Sequence, residues 1–275
     1  VTSCFLCQGS EFRPFIREGQ WQYVRCLNCG LIFLEPQPSK GFLHTHYQDY
    51  LPADHQMIER WRKLMAQVFA KSARLIQEVI PVPGRLLDIG CGYGFFLEEM
   101  VQWGWQAEGI EISATGLNYA RKKLGLNVSD KPLPRPDWQD NCYDVITLFY
   151  VIEHLEDPKS VLREARRLLR RDGLLLLRWP HTAPVAALMR PWADRLGLYQ
   201  APSHLFDFSP MTLYKILHQS GFHEIRTTIC GWTRPAGKWA QLTAWFFGSL
   251  GEKLARVSGD RLLLPGVSKT TLARR

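Results

Sequence analysis

The chain of 275 residues lacks any uninterrupted apolar run of the roughly 18 residues needed to span a bilayer. Its first thirty residues show no charged start followed by an apolar core, so no secretory leader is expected. Tandem repeats and low-complexity runs are also missing, which argues against a largely disordered chain. What is present, 46% hydrophobic and 22% charged residues, is a globular composition, and the length suits one large domain with a small accessory module. The expectation is a cytoplasmic protein, with contact at the inner face of the membrane left open.

The seven cysteines need an explanation other than disulfides, which a reducing compartment disfavours. Four of the seven cysteines fall into two short pairs, Cys4-x2-Cys7 and Cys26-x2-Cys29, with eighteen residues between them and Gly30 after the second. That is the ligand spacing of a closed tetrahedral zinc site. The intervening "SEFRPFIREGQWQYVR" alternates apolar and polar residues around Glu18-Gly19, as a hairpin would. A zinc ribbon over residues 1–40 is therefore expected, folding on its metal. It also lacks a basic excess: Arg13, Arg17 and Arg25 face Glu11, Glu18 and Glu35, so a nucleic-acid partner is not expected. Cys91, Cys142 and Cys230 stand alone and read as small buried hydrophobes.

Residues 41–82 read as a linker and packing helix. Ile58, Trp61, Leu64, Met65, Val68, Leu75, Ile76 and Val79 recur at three- and four-residue steps, predicting an amphipathic helix over 55–80 that Pro81 ends. Beyond it, strand-like runs at 85–89, 106–111, 143–149 and 174–179 alternate with helical patterns at 94–103, 114–124 and 158–170. Such alternation specifies an α/β domain over 83–275 with a doubly wound, mostly parallel sheet, whose ligands bind outside the carboxyl ends of the strands.

At that edge lies "LLDIGCGYGFFLEEM". Dinucleotide sites use G-x-G-x-x-G against a pyrophosphate; the spacing of Gly90, Gly92 and Gly94 is G-x-G-x-G. Asp88 precedes the first glycine by two residues, where it would repel a phosphate and suit a cationic amino group. Glu111 ends the next strand, placed to accept hydrogen bonds from ribose hydroxyls. The pair suits a positively charged nucleoside.

The stretch resembles motif I of the class I S-adenosylmethionine-dependent methyltransferases. The resemblance extends in order through "GWQAEGIEIS", "CYDVITLFYVIEHLEDP", "LLRRDGLLLLRWP" and "HLFDFSPMTLYKILHQSGF", covering residues 83 to about 230. It implies a seven-stranded Rossmann-like sheet and S-adenosylmethionine as cofactor, with Asp88, Gly90, Cys91 and Gly92 at its methionine end, Tyr150 beside them, Glu111 on the ribose and Asp130 near the adenine. It also implies a small-molecule acceptor, either a nucleotide- or lipid-linked sugar or a quinone-like metabolite. Glu153 and His154, at the end of the fourth strand, are the candidate catalytic pair, with His154 as base. His181 and His204 are candidate acceptor contacts. An RNA methyltransferase and a non-catalytic cofactor-binding scaffold are the rival readings.

Two insertions depart from a plain domain of this kind. The apolar segment 183–202 is placed to make a lid. The second, at about 234–265, carries "KWAQLTAWFFGSLGEKLAR" over 238–256, and residues 225–275 hold nine Lys and Arg against two acids, a net +7 of the chain's +8. Three readings stay open for it: an anionic membrane surface, an anionic acceptor, or an ordinary helix whose aromatics pack on the sheet.

Overall fold

The computed structural model describes residues 3–275 apart from Pro191, Ala193 and Asp194. Part of the expected lid over 183–202 therefore lies outside the described residues.

The predicted hairpin forms from β1 (Phe12–Glu18) and β2 (Trp21–Cys26), and β3 (Ile32–Leu34) adds to β2. The following segment, read from sequence as linker, holds a helix, α1 (Lys40–Gln48), capped by Ser39, whose side chain accepts from the Phe42 amide. Asp54 caps α2 (His55–Val79) in the same way, and its apolar stripe of Ile58, Met65, Val68, Ala73 and Ile76 is buried against the main sheet.

The main domain runs β4 (Arg85–Ile89), α3 (Phe95–Gln102), β5 (Gln106–Ile110), α4 (Ala114–Lys122), β6 (Asn127–Ser129), β7 (Tyr143–Phe149), α5 (Pro158–Leu168) and β8 (Leu169–Trp179). Then come α6 (Ala183–Leu188), β9 (Phe206–Asp207), α7 (Pro210–Gln219), β10 (His223–Thr228), α8 (Lys238–Ser258) and β11 (Lys269–Arg274). Seven strands pair in the order β10-β11-β8-β7-β4-β5-β6, parallel from β8 to β6, with β11 antiparallel to both neighbours. β8 begins five residues earlier than its hydrophobic run suggested, because the polar segment Arg170–Asp172 continues the strand before Leu174–Leu177 fill the core. Each of those fully buried leucines contributes roughly 2 kcal/mol of burial.

The cysteine-bearing sheet is not a free module. β9, from the main domain, pairs with β3 through Ile32↔Asp207 and Phe33↔Phe206, giving a four-stranded sheet β1-β2-β3-β9. The same apolar cluster holds Leu31, Leu34 and Phe206 together with Leu148, Leu177 and Trp179 of the large sheet. A boundary at residue 40 thus divides the sequence but not the core. Among the described residues no helix is long and apolar enough to cross a membrane.

Candidate active site

The carboxyl ends of β4, β5 and β7 open into a cavity of about 400 Å³, covered by Trp61, Leu64 and Met65 of α2. A shallower depression of about 580 Å³ lies at the opposite edge, around the amino ends of β4, β5 and β6 at Arg85, Gln106 and Asn127. It carries none of the candidate residues.

One wall is the turn after β4. Gly92 sits at φ +58°, and a Cβ there would meet only Leu51, 3.9 Å away, so its backbone faces open space. Gly90, at φ +70°, has no such room: a Cβ would lie 2.4 Å from Val151. Close approach and a left-handed backbone therefore both exclude a side chain here. The Glu111 carboxylate accepts from the amides of Gly92 and Ser113, each at 2.7 Å, pinning the glycine turn to β5. Burial pushes its pKa up, and these amides oppose the shift. Its remaining lone pairs stay free for a ligand hydroxyl.

Asp88 lies beneath this turn rather than on the cavity wall, buried and accepting from the Thr147 hydroxyl at 2.7 Å. Burial pushes it up to about 8, with the charge of Glu111 adding and the Thr147 bond opposing. Cys91 turns its sulfur against Gly109 of β5, where a Cβ would stand only 2.6 Å from it, and does not line the cavity. Asp130 is exposed, paired with Arg121 at 3.7 Å, and is also off the wall; Pro132 and Leu133 line it instead. Tyr150 does line it, at φ +56°, its hydroxyl accepting from the Arg178 guanidinium at 3.1 Å. Arg178 is buried and further satisfied by the carbonyls of Cys230 and Gly231 and by Thr270, so Tyr150 is braced from below.

The other wall holds Glu153, His154 and His204, whose ligand atoms lie within 4.8 Å of one another. His154 Nδ1 lies 2.8 Å from the Ser203 carbonyl, so that nitrogen carries the proton and Nε2 keeps its lone pair. Burial lowers its pKa to about 3, with His204 and His46 reinforcing the effect. His204 stands edge-on at 4.8 Å between ring centres, itself lowered to about 4 by burial. Glu153 is fully buried with neither carboxylate oxygen hydrogen-bonded, and burial raises it to about 8. Its backbone carbonyl accepts from the Leu205 and Phe206 amides, tying the pair to the 203–206 segment. His181 lies two residues beyond the end of β8 and stands off the cavity, half-buried and lowered to about 4 by burial and by Lys269.

A family model described as a methyltransferase domain matches residues 53–226. The chain belongs to the methyltransferase-domain family. It is 28% identical over 186 residues to a ubiquinone biosynthesis O-methyltransferase of Cereibacter sphaeroides, covering 62% of this chain and 74% of that one. A ubiquinone biosynthesis O-methyltransferase of Actinobacillus pleuropneumoniae is 34% identical over 101 residues, 33% of this chain and 43% of the relative, so the chain spans less than half of that enzyme. Among solved structures, a SAM-dependent methyltransferase of Archaeoglobus fulgidus superposes with TM-score 0.54 at 18% identity, over 81% of this chain and all of the other. Phosphoethanolamine N-methyltransferase 2 of Haemonchus contortus gives 0.56 at 16%, over 89% and 62%. At these identities the structures show the Rossmann-like fold alone.

The wall around His154 is held by residues that the sequence reading did not single out. Tyr47 of α1 donates to the Ser203 carbonyl at 2.6 Å, and Tyr47 and Tyr50 both stand edge-on to His154. Glu18, at the end of β1, accepts from the Tyr199 and Ala201 amides at 2.8 and 3.1 Å. Tyr23 donates to the His204 carbonyl at 2.7 Å. The aromatic and histidine density of "HTHYQDY" at 44–50 was the available signal.

The four N-terminal thiols lie within 4.8 Å of one another, Cys4 to Cys29 at 3.7 Å and Cys7 to Cys26 at 3.6 Å. A tetrahedral zinc with Zn–S near 2.3 Å separates its sulfurs by about 3.8 Å. The donor set and its spacing fit that ion.

Proposed function

We propose that the chain is an S-adenosylmethionine-dependent methyltransferase acting on a hydroxyl of a small, mostly apolar acceptor of phenol or quinol type. One observation carries the reading: a single cavity joins the open Gly92 backbone and Glu111 on one side to the Glu153, His154 and His204 cluster on the other. The cofactor, when bound, supplies an electrophilic methyl group on a sulfonium. Gly90 and Gly92 give it access to main chain, and Glu111 accepts from its ribose. Asp88 lies buried beneath the loop, bonded to the Thr147 hydroxyl.

An acceptor hydroxyl must lose its proton as it attacks. His154, locked by Ser203 into the tautomer with a free Nε2, takes that proton when Glu153 is ionised, because burial alone keeps the imidazole a weak base. Glu153, once ionised, offsets the charge of the resulting imidazolium. Holding nucleophile and methyl carbon in line supplies much of the rate.

Two facts favour a quinone-like acceptor over a nucleotide- or lipid-linked sugar. Among the described residues no Lys or Arg lines the cavity, so nothing inside it matches a phosphate, while Trp61, Leu64, Met65 and Leu133 offer an apolar wall. The curated relatives named as ubiquinone biosynthesis O-methyltransferases point the same way. The Cys4 cluster is assigned a structural zinc, since four thiolates leave no open position. Elemental analysis of purified protein should find one zinc per chain.

The function is tested by offering methyl-labelled S-adenosylmethionine with a panel of catechols and quinols beside nucleotide sugars. Transfer to the phenolic compounds supports the reading. Transfer only to the sugars, or tight cofactor binding with no transfer to any class, overturns it.

A further inference from the structure

The reading that α8 is an ordinary core helix fails on its exposure. Only Gly248, Gly251 and Ala255 are buried, on one side, where a Cβ at Gly248 would stand 2.7 Å from the Trp232 ring. Before Gly248 the helix is exposed almost all round: Trp239 is 82% accessible and Trp245 56%. At 3.6 residues per turn, Trp239, Leu242, Phe246, Leu250 and Val257 fall within about 80° of the helix circumference, directly opposite the glycine side. All five are exposed, forming one apolar stripe roughly 27 Å long.

The charges are sorted by the same division. The helix has one acid, Glu252, and it points inward, bonded to Lys71 at 2.5 Å and to the Gly231 amide. Asp260, just beyond, is held by Arg226. Lys238, Lys253 and Arg256 lie on or beside the stripe, Arg261 follows the helix, and among the described residues no carboxylate pairs with any of them.

We propose that α8 docks this methyltransferase on an anionic lipid surface, with its aromatic stripe in the headgroup boundary and its cations on the phosphates. An apolar face flanked by unpaired cations, with its acid turned inward, is complementary to such a surface. A second copy of this chain is a poorer occupant, because two such stripes would face each other with like charges and no acid to pair. The segment entering α8 also reaches the site: Thr233 lines the cavity, and the Arg234 amide bonds the Leu64 carbonyl of α2. Docking would bring the cavity near the bilayer, whatever acceptor it takes.

The test is co-sedimentation of the full chain with vesicles of phosphatidylcholine alone and of phosphatidylcholine with phosphatidylglycerol, at low and high salt. The expected result is binding that grows with the phosphatidylglycerol fraction, falls with salt, and weakens about tenfold or more in Lys253→Glu/Arg256→Glu. Trp239→Ser/Phe246→Ser should weaken it similarly, with S-adenosylmethionine affinity and Tm unchanged in both. Should the apolar pair fail to fold, the charge pair carries the same test. Absence of binding, equal and salt-insensitive binding to neutral vesicles, or a concentration-dependent dimer that these substitutions dissolve would each overturn the proposal.

Discussion

The two walls of the cavity are built in opposite ways. The wall proposed for the cofactor comes from one stretch of chain, 86–113, in which strand, glycine turn, helix and next strand follow directly and Glu111 closes the loop on Gly92. The wall proposed for the acceptor is collected from Tyr47, Tyr50, the 153–154 turn and the 199–208 segment, and it is held by an N-terminal sheet that contributes Glu18 and Tyr23. A wall of the first kind is encoded by local backbone chemistry. One of the second kind leans on contacts between residues up to 183 positions apart, so it can change without disturbing the first.

That contrast predicts separable losses. His154→Ala should lower kcat by roughly 10²- to 10⁴-fold, the usual worth of general-base assistance, with S-adenosylmethionine affinity within about twofold by calorimetry; an equal loss of both would merge the two walls. Gly92→Ala is the converse. A Cβ standing in the cavity should weaken cofactor binding about tenfold, and the left-handed backbone adds roughly 1–2 kcal/mol of strain that denaturant melts would show. The environment of His154, followed by its NMR titration, should stay unchanged.

Glu18→Gln reaches the acceptor wall from outside the domain. It leaves one of the Tyr199 and Ala201 amides without its acceptor, so the acceptor KM should rise several-fold while the cofactor Kd holds. A rise in both would mean that the N-terminal sheet supports the whole fold rather than one wall.

The smallest effects are in pH. Burial raises Glu153 to about 8, so kcat/KM should climb with pH through that region as the carboxylate forms, and Glu153→Gln should flatten the climb. The same shift acts on stability. With its folded value above that of an unfolded carboxyl, Glu153 favours the fold fully below about pH 4 and loses that contribution as pH rises through about 8. Glu153→Gln should therefore raise Tm by a few degrees at pH 9 and leave it unchanged at pH 4.

What could be read from the sequence divides along the same line. The parallel strands, the glycine turn beside Glu111 and the paired cysteines are written in short-range patterns, and the structure forms each of them. α1 was hidden inside a proline-bearing linker, since a nine-residue helix with only Leu43 buried leaves almost no apolar pattern. Pairing of β3 with Phe206–Asp207 could not be foreseen, because a two-residue strand has no period. Cys91 and Asp130 sit in the motif region but face away from the cavity, and spacing alone does not show where a side chain points. For α8 the sequence leaves three readings open, since its aromatic content suits a core helix as well as a surface one, and its angular placement opposite Gly248 and Gly251 shows that it faces out.

A structure determined with bound S-adenosylhomocysteine tests the central claim most directly. The ligand's ribose hydroxyls should lie on Glu111, its amino-acid end against the backbone of Gly90 and Gly92, and its sulfur should turn toward His154. A ligand lodged in the depression at the amino ends of β4 to β6, or a crevice that stays shut with the ligand excluded, would contradict it.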